Sequence, residues 1–462
     1  MTRPAIQAYD SILEAIGRTP LIRLSRITRG IRTPVYAKAE QLNPGGSVKD
    51  RIGLAMIEAA EREGRLRPGG TIVEATSGNT GVGLAIAAAV KGYRCVFTIP
   101  DKMSMEKVRL LRALGAEVII VPTAVPPDHP DYYVVKARTI AAETPNAIMA
   151  DQHYNPANPE AHYRTTGPEI WEQTGGRITH FVCSPGTGGT VSGVARYLKE
   201  KNPAIRIIAG DPVGSIYKEY AETHRKSEGF PYKVEGIGGD KIPSSLHFDL
   251  VDEWITVSDA DSFAMARRCT REEGLFVGGS TGLNVFTALE VARRVDDPEA
   301  CVVTVLCDTG ERYVSKLYDD NWMRENQLLE AEKVTASRIL EQHPAGIPPL
   351  VSLAPASTVR QALNLMSTWG VSEIPVIDGA DCVGSLSENT LMARALENDK
   401  LLDQPVETVM GSPYPVVDAL LPLDRVSSLL SKESAAVLVR RDGKLAGIIT
   451  RYDILRHVAG IR

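Results

Sequence analysis

Lys49 sits in the segment NPGGSVKDR (residues 43–51), behind two glycines and a small residue and just before the apolar-periodic run RIGLAMIEAA. Small residues ahead of a lysine let a flat cofactor approach the backbone. A lysine that forms a Schiff base must shed its proton, which partial burial and neighbouring cations favour. A lysine near a helix start is also read as a solvated surface charge, so this segment needs partners elsewhere in the chain.

Three other segments offer them. EATSGNTG (74–81) runs from an apolar strand into a helix expected to begin near Thr80. Amides at such a start attract anions, and Thr76, Ser77 and Thr80 add hydroxyls, so a substrate carboxylate suits this loop. Asn79 can offer its amide to a ring oxygen, although an N-cap or turn role fits it as well. SPGTGGTVSG (184–193) follows the strand-like THFVCSP, and Gly186, Thr187, Gly188, Gly189 and Thr190 can wrap a phosphate. It has neither the GK[ST] ending nor the GxGxxG spacing of nucleotide loops, which argues against a nucleoside triphosphate; a plain glycine turn stays open. FVGGSTG (276–282) presents Ser280. A hydroxyl facing a ring nitrogen bonds it without the full protonation a carboxylate promotes, which suits β-elimination over transamination; a helix N-cap is the alternative.

Elements able to hold these turns are visible from Val35 to about Asp308. β-rich runs (VYAKAE, TIVEAT, RCVFTIP, AEVIIVP, THFVCSP, RIIAGDP, CVVTVLCD) alternate with helical stretches, the rhythm of a mostly parallel sheet covered by helices. Strand-to-helix turns then lie at the carboxyl edge, where ligands bind. A charged, helix-compatible stretch from Asp319 to Leu340 precedes HPAGIPPL, whose prolines mark a boundary. Beyond it IPVIDGADCVGSLSENTLM (374–392) repeats as VLVRRDGKLAGIITRYDIL (437–455), with Val376 matching Val439 at an offset of 63. Each copy reads strand, glycine turn, strand, helix, and copies this small are expected to pack as a pair.

Composition narrows the classes. The 462 residues carry 52 basic and 57 acidic side chains, net −5, without a block of like charge, so nucleic acid and anionic membranes are not expected partners. Apolar runs fall well short of the roughly 20 residues of a membrane helix, and the start lacks an export signal, so a cytoplasmic address is expected. The six cysteines show no CxxC pair and read as reduced packing residues; no metal is expected.

In order and spacing the four segments resemble the cysteine synthase and cystathionine β-synthase family of pyridoxal-phosphate (PLP) enzymes. The likeness extends over residues 10 to about 318, including the opening SILEAIGRTPLIRL (11–24). It implies the α/β, tryptophan synthase β-like architecture of PLP-dependent fold type II, with two open parallel-sheet subdomains. By this resemblance Lys49 carries PLP, Asn79 bonds its phenolic oxygen, Gly186 to Thr190 hold its phosphate and Ser280 faces the pyridine nitrogen. Thr76, Ser77, Asn79 and Thr80 become the loop for the substrate carboxylate, with Gln152 nearby, and EGIGGD (235–240), including Gly236, narrows over the substrate. Residues 344–462 resemble a tandem pair of CBS domains of α+β type. In such repeats a Thr or Ser and an Asp three residues later hold an adenosyl ligand's ribose: Thr450 and Asp453 supply both in the second copy, whereas the first has Ser387 and Thr390. The expected layout is a catalytic region 1–325, a linker 326–345, and CBS domains 346–400 and 401–462.

The activity so implied is condensation of L-serine with L-homocysteine to L-cystathionine and water, a lyase reaction of transsulfuration. S-adenosylmethionine or another adenosyl ligand would act at the tail, in a homodimer or higher homo-oligomer. Cysteine synthesis from O-acetylserine or serine with sulfide is the alternative within the family, and elimination without thiol addition, as in threonine dehydratases, is a minor one. An adenosyl-ligand sensor with an inactive scaffold is the alternative of another class, against which the intact Lys49, Asn79 and phosphate loop argue. Gly239 and His153 stand where the family often has tyrosines, departures that bear on thiol choice. A packing or loop role suits His153 better than proton relay. The haem-binding extension of animal members is not seen ahead of Ser11, so no haem is expected.

Overall fold

β-rich runs form the strands that their composition suggests. A computed structural model describes residues 8–459 apart from 77, 102–104, 127, 330–333, 343–345, 432–433 and 442, with backbone only at 399 and 424. Contacts divide the chain into two units, Met1–Leu329 and Glu330–Arg462. In the first unit the strands are β1 (Leu21–Arg23), β2 (Val35–Ala39), β3 (Thr71–Ala75), β4 (Arg94–Pro100), β5 (Glu117–Val121), β6 (Ala147–Met149), β7 (His180–Val182), β8 (Arg206–Pro212), β9 (Glu253–Val257) and β10 (Val302–Leu306).

They build two sheets. One runs β1-β2-β10-β7-β8-β9, parallel except for β1, and the other runs β5-β4-β3-β6, parallel throughout. Helices cover both faces of such sheets, which is why β10 (VVTVL) is buried at every position and reads as an unbroken apolar run. Along it Val302 and Leu306 enter one core with Val182 and Leu289, while Val303 and Val305 enter another with Phe181 and Ile207. Ile72, Phe97 and Ile99 fill the core of the four-stranded sheet. Each fully buried side chain of this kind contributes roughly 1.5–3 kcal/mol.

Helices α1 (Lys49–Arg62) and α2 (Asn79–Lys91) start at the two loops that the sequence marks. They touch backbone to backbone: a Cβ on Gly53 would strike Gly83, and one on Gly83 would strike the carbonyl of Lys49. Only glycines permit this approach, and it fixes the start of α1 beside the start of α2.

In the second unit β11 (Glu373–Asp378) pairs antiparallel with β12 (Asp381–Ser387), and β14 (Ala436–Arg441) with β15 (Lys444–Thr450), while β13 (Val416–Asp418) runs parallel to β14. Helices Glu388–Glu397 and Arg451–Val458 follow β12 and β15. The bounds of β11 and β12 match those of β14 and β15 at the offset of 63, as do both helix starts and the bulges after Val376 and after Val439, whereas β13 has no counterpart strand in the first copy among the described residues.

The charged stretch 319–340 is not one helix. Asp319 caps Asp320–Glu325 by accepting from the Trp322 amide (2.9 Å), and Gln327, at φ +57°, lies beyond the helix end. A separate helix, Ala336–Leu340, buries Ala336 and Ile339 with Val417, Val426 and Val437, although 326–345 reads as a linker from sequence. No helix of the described residues is long and apolar enough to cross a membrane.

Candidate active site

A cavity of about 890 Å³ opens in the first unit, lined by Lys49, Thr76, Asn79, Thr80, Gln152, Gly186, Thr187, Gly188, Thr190, Gly236 and Ser280. Gly189 lies beside it, and Ser77 falls outside the described residues. Lys49 is the first residue of α1, and its amide bonds Ser47 Oγ (3.2 Å). Two residues on, the buried Arg51 guanidinium anchors the helix to Glu40 and Glu169, each at 2.7 Å. Burial pushes the Glu40 carboxyl up, but Arg51, with Thr19 and Lys38, outweighs it and holds it at about 2. Desolvation lowers the Lys49 ammonium below the usual lysine range, against the weaker opposing pull of Asp308. Among the described residues Lys49 Nζ has no hydrogen-bond or ion-pair partner. A lysine so placed gives up its proton readily. Burial raises the Cys307 thiol to about 12 and Cys183 well above the ordinary value, so both walls stay neutral. All six cysteines are free.

Helix α2 presents its first turn to the cavity. Thr80 Oγ1 donates to Gln152 Oε1 (2.6 Å), so the oxygen end of the Gln152 amide faces Thr80, and Gln152 lines the cavity with it. Asn79 is the first helical residue and not the cap, which is Gly78. Its Nδ2 donates to Asp308 Oδ2 (2.7 Å), and its Oδ1 accepts from Arg312.

Across the cavity the helix Gly189–Lys201 starts from Gly188, at φ +87°, a left-handed cap that side chains resist. Thr187 Oγ1 accepts from Asn158 Nδ2 (2.9 Å), and Thr190 Oγ1 lies 3.2 Å from His162 Nε2. His162 is fully buried, and desolvation, helped by Arg51 and Lys49, lowers its pKa to about 3, so the ring is neutral. Ser280 is buried in the first turn of Gly279–Val295, whose cap is Gly278, and its hydroxyl meets Cys307.

The EGIGGD segment lies over the phosphate loop, since a Cβ on Gly186 would strike the Gly236 carbonyl and the Gly238 amide bonds Pro185 O (2.8 Å). Glu235 is tied to Lys107 and to Lys316 (2.6 Å). Space beside Gly239 is taken by Tyr217, whose hydroxyl donates to Gly186 O (2.8 Å). His153 lines the cavity mouth, and its carbonyl accepts from Ser245.

Comparison with known proteins agrees with this geometry. Residues 12–308 match the family model described as pyridoxal-phosphate dependent enzyme, and 346–397 and 406–460 each match the CBS domain. This chain belongs to the pyridoxal-phosphate dependent enzyme family. A cystathionine beta-synthase of Dictyostelium discoideum is 37% identical, over 97% of this chain and 92% of its own. Cysteine synthase 1 of Neurospora crassa is 45% identical over 69% and 85%. The crystal structure of an O-acetylserine dependent cystathionine beta-synthase from Helicobacter pylori has a TM-score of 0.62 at 38% identity, over 67% of this chain and 99% of that one.

The cavity fits the cofactor of this PLP family by its donors. The first amides of Gly189–Lys201 have no acceptor within the helix. Thr187, already accepting from Asn158, has its own O–H to give. Such a start, with the helix dipole behind it, takes a phosphate.

Sequence reasoning missed Asp308, Arg312, Tyr313, Asn158 and His162. Asp308 left a signal, since it ends the run CVVTVLCD at the carboxyl edge where ligands sit; Tyr313 follows from Asp308, and Arg312, Asn158 and His162 are recognised only through Asn79, Thr187 and Thr190, distant in sequence.

Proposed function

We propose that the chain is a PLP-dependent lyase, a cystathionine β-synthase condensing L-serine with L-homocysteine to L-cystathionine and water. One observation carries the reading: an unpaired, desolvated lysine shares a cavity with a phosphate-type helix start on one wall and a carboxylate-type helix start on the other. Full-length likeness to named cystathionine beta-synthases, tail included, selects the reaction.

PLP, when bound, is the electron sink that makes the substrate Cα–H acidic and lets the β-hydroxyl leave. Lys49 would hold the cofactor, yield it to the substrate amine, accept the α-proton on Nζ and return it to Cα after the thiol has added. Gly186, Thr187, Gly188, Gly189 and Thr190 would anchor the phosphate. Asn79 would donate to the phenolic oxygen, and Ser280 to the ring nitrogen. Thr76, Ser77, Asn79, Thr80 and Gln152 would bind the serine carboxylate, and Gly236 would narrow the mouth. We extend the proposal to a catalytic region 1–325, a linker 326–345 and CBS domains 346–400 and 401–462. Thr450 and Asp453 would hold the ribose of S-adenosylmethionine or another adenosyl ligand, and the assembly would be a cytoplasmic homodimer or larger.

Cysteine synthesis with sulfide is the second reading, favoured by the likeness to cysteine synthase 1. Mass-spectrometric product analysis of PLP-loaded protein given serine, homocysteine and sulfide together, with Lys49→Ala as blank, tests both. Lys49-dependent cystathionine is expected; cysteine alone would select the second reading, and neither product would overturn β-replacement.

A further inference from the structure

We infer that Asp308 and Arg312 are positioning residues that lock the side-chain amide of Asn79 in one orientation, its NH₂ toward the cavity and its oxygen away. The inference rests on the proposed reading of this cavity as the cofactor site, where Asn79 meets the phenolic oxygen.

Asp308 follows β10 and is 1% exposed. Its Oδ2 accepts from Asn79 Nδ2 and from the Tyr313 hydroxyl, both at 2.7 Å. Burial raises this carboxyl above its ordinary range. With two donors on Oδ2, a proton taken up by the group would sit on Oδ1, so Oδ2 remains an acceptor in either state. Arg312, in the turn after β10, donates one NH₂ to Asn79 Oδ1 and the other to Gly45 O. A guanidinium only donates, so the Asn79 oxygen must face it. Turning the amide over would set oxygen against the Asp308 oxygen and NH₂ against the guanidinium, losing both bonds and leaving buried groups unpaired.

Asn79 NH₂ carries two hydrogens, and Asp308 takes one. The second is left to the cavity that Asn79 lines. A donor is what a phenolate oxygen needs; the amide oxygen in its place would repel it. Because the second Arg312 NH₂ holds Gly45, four residues before Lys49, one side chain also ties the lysine loop to the start of α2.

The test measures PLP affinity and the visible absorption of full-length protein, neither of which needs turnover. Arg312→Met is expected to weaken PLP binding about tenfold and move the visible band to shorter wavelength, with Arg312→Lys retaining most of both. In an Asn79→Ala background Arg312→Met is expected to add less than about twofold. An unchanged band and affinity in Arg312→Met would overturn the lock, as would an equal loss with and without Asn79, since Arg312 would then act on the fold alone. If Arg312→Met does not fold, Arg312→Gln, whose amide can meet Asn79 with either end, is read by the same measures with the same expectation. Wild-type protein that takes up no PLP, or Lys49→Ala that keeps the visible band, would instead overturn the reading of the cavity and the lock with it.

Discussion

The catalytic unit and the tail hold their candidate ligand residues in opposite ways. In the first unit the bonds cross long stretches of chain: Asn79 to Asp308 spans 229 residues, Thr80 to Gln152 spans 72 and Thr190 to His162 spans 28. In the tail Thr450 and Asp453 bond each other three residues apart, Asp453 Oδ2 accepting from both the Thr450 hydroxyl and its amide at 2.7 Å. The catalytic constellation therefore exists only in the completed fold, whereas the tail's pair is made by one helical turn. A change in the first is expected to spread, and a change in the second to stay local.

Lys49→Ala is expected to have the largest effect, a fall in turnover on the order of 10³-fold or more, since one group carries each transfer at Cα. Product formation by mass spectrometry checks it, and activity within tenfold of wild type would mean that another base serves Cα. Arg51→Met comes next. It leaves Glu40 and Glu169 without the guanidinium between them, and loss of one partner in a buried ion pair costs roughly 3–5 kcal/mol. Urea unfolding reads that loss; a cost below about 1 kcal/mol would show that water replaces the pair.

His162 sharpens the comparison by pH. Its folded pKa of about 3 lies below the ordinary 6.5, so between those values the unfolded chain binds a proton that the folded chain refuses. Its contribution is complete above about pH 6.5 and is lost as pH falls toward 3, at about 1.4 kcal/mol per unit. Between pH 7 and 5 the wild type is expected to lose about 2 kcal/mol more unfolding free energy than His162→Gln. Parallel pH profiles would place a charged, hydrated ring beside Thr190.

What was legible in the sequence follows the same division. Lys49, the Asn79 loop, Gly186 to Thr190 and Ser280 stand in short glycine-bearing segments between strand and helix, where residue type and neighbours suffice. The tail repeat was legible as strand, glycine turn, strand and helix in each copy, because both carry the same alternation around Val376 and Val439. Asp308 and Arg312 were not recognised as partners of Asn79, because strand order brings β10 beside β2 and the start of α1 across more than 200 residues. The break in 319–340 was missed because its charged residues suit a helix throughout, and the left-handed Gln327 has no glycine to announce it.

The smallest expected effect separates the two copies of the tail. Thr450 and Asp453 form a reciprocal capping box on Arg451–Val458, whereas Ser387 at the matching place makes no capping bond to Glu388–Glu397. The reason lies across the strand pair. Ser387 turns its hydroxyl to Glu373, which also accepts from Tyr414 at 2.5 Å, and the second copy has Ala436 where the first has Glu373. Thr450→Ala is then expected to cost about 1 kcal/mol and lower hydrogen-exchange protection of its helix about fivefold, while Ser387→Ala leaves its own helix within about 0.5 kcal/mol. Turnover should not change in either variant without an adenosyl ligand, because neither residue belongs to the catalytic unit. Equal losses of protection would mean that Ser387 caps its helix despite Glu373, and loss of protection beyond the helix in Thr450→Ala would mean that the tail is no more local than the site it follows.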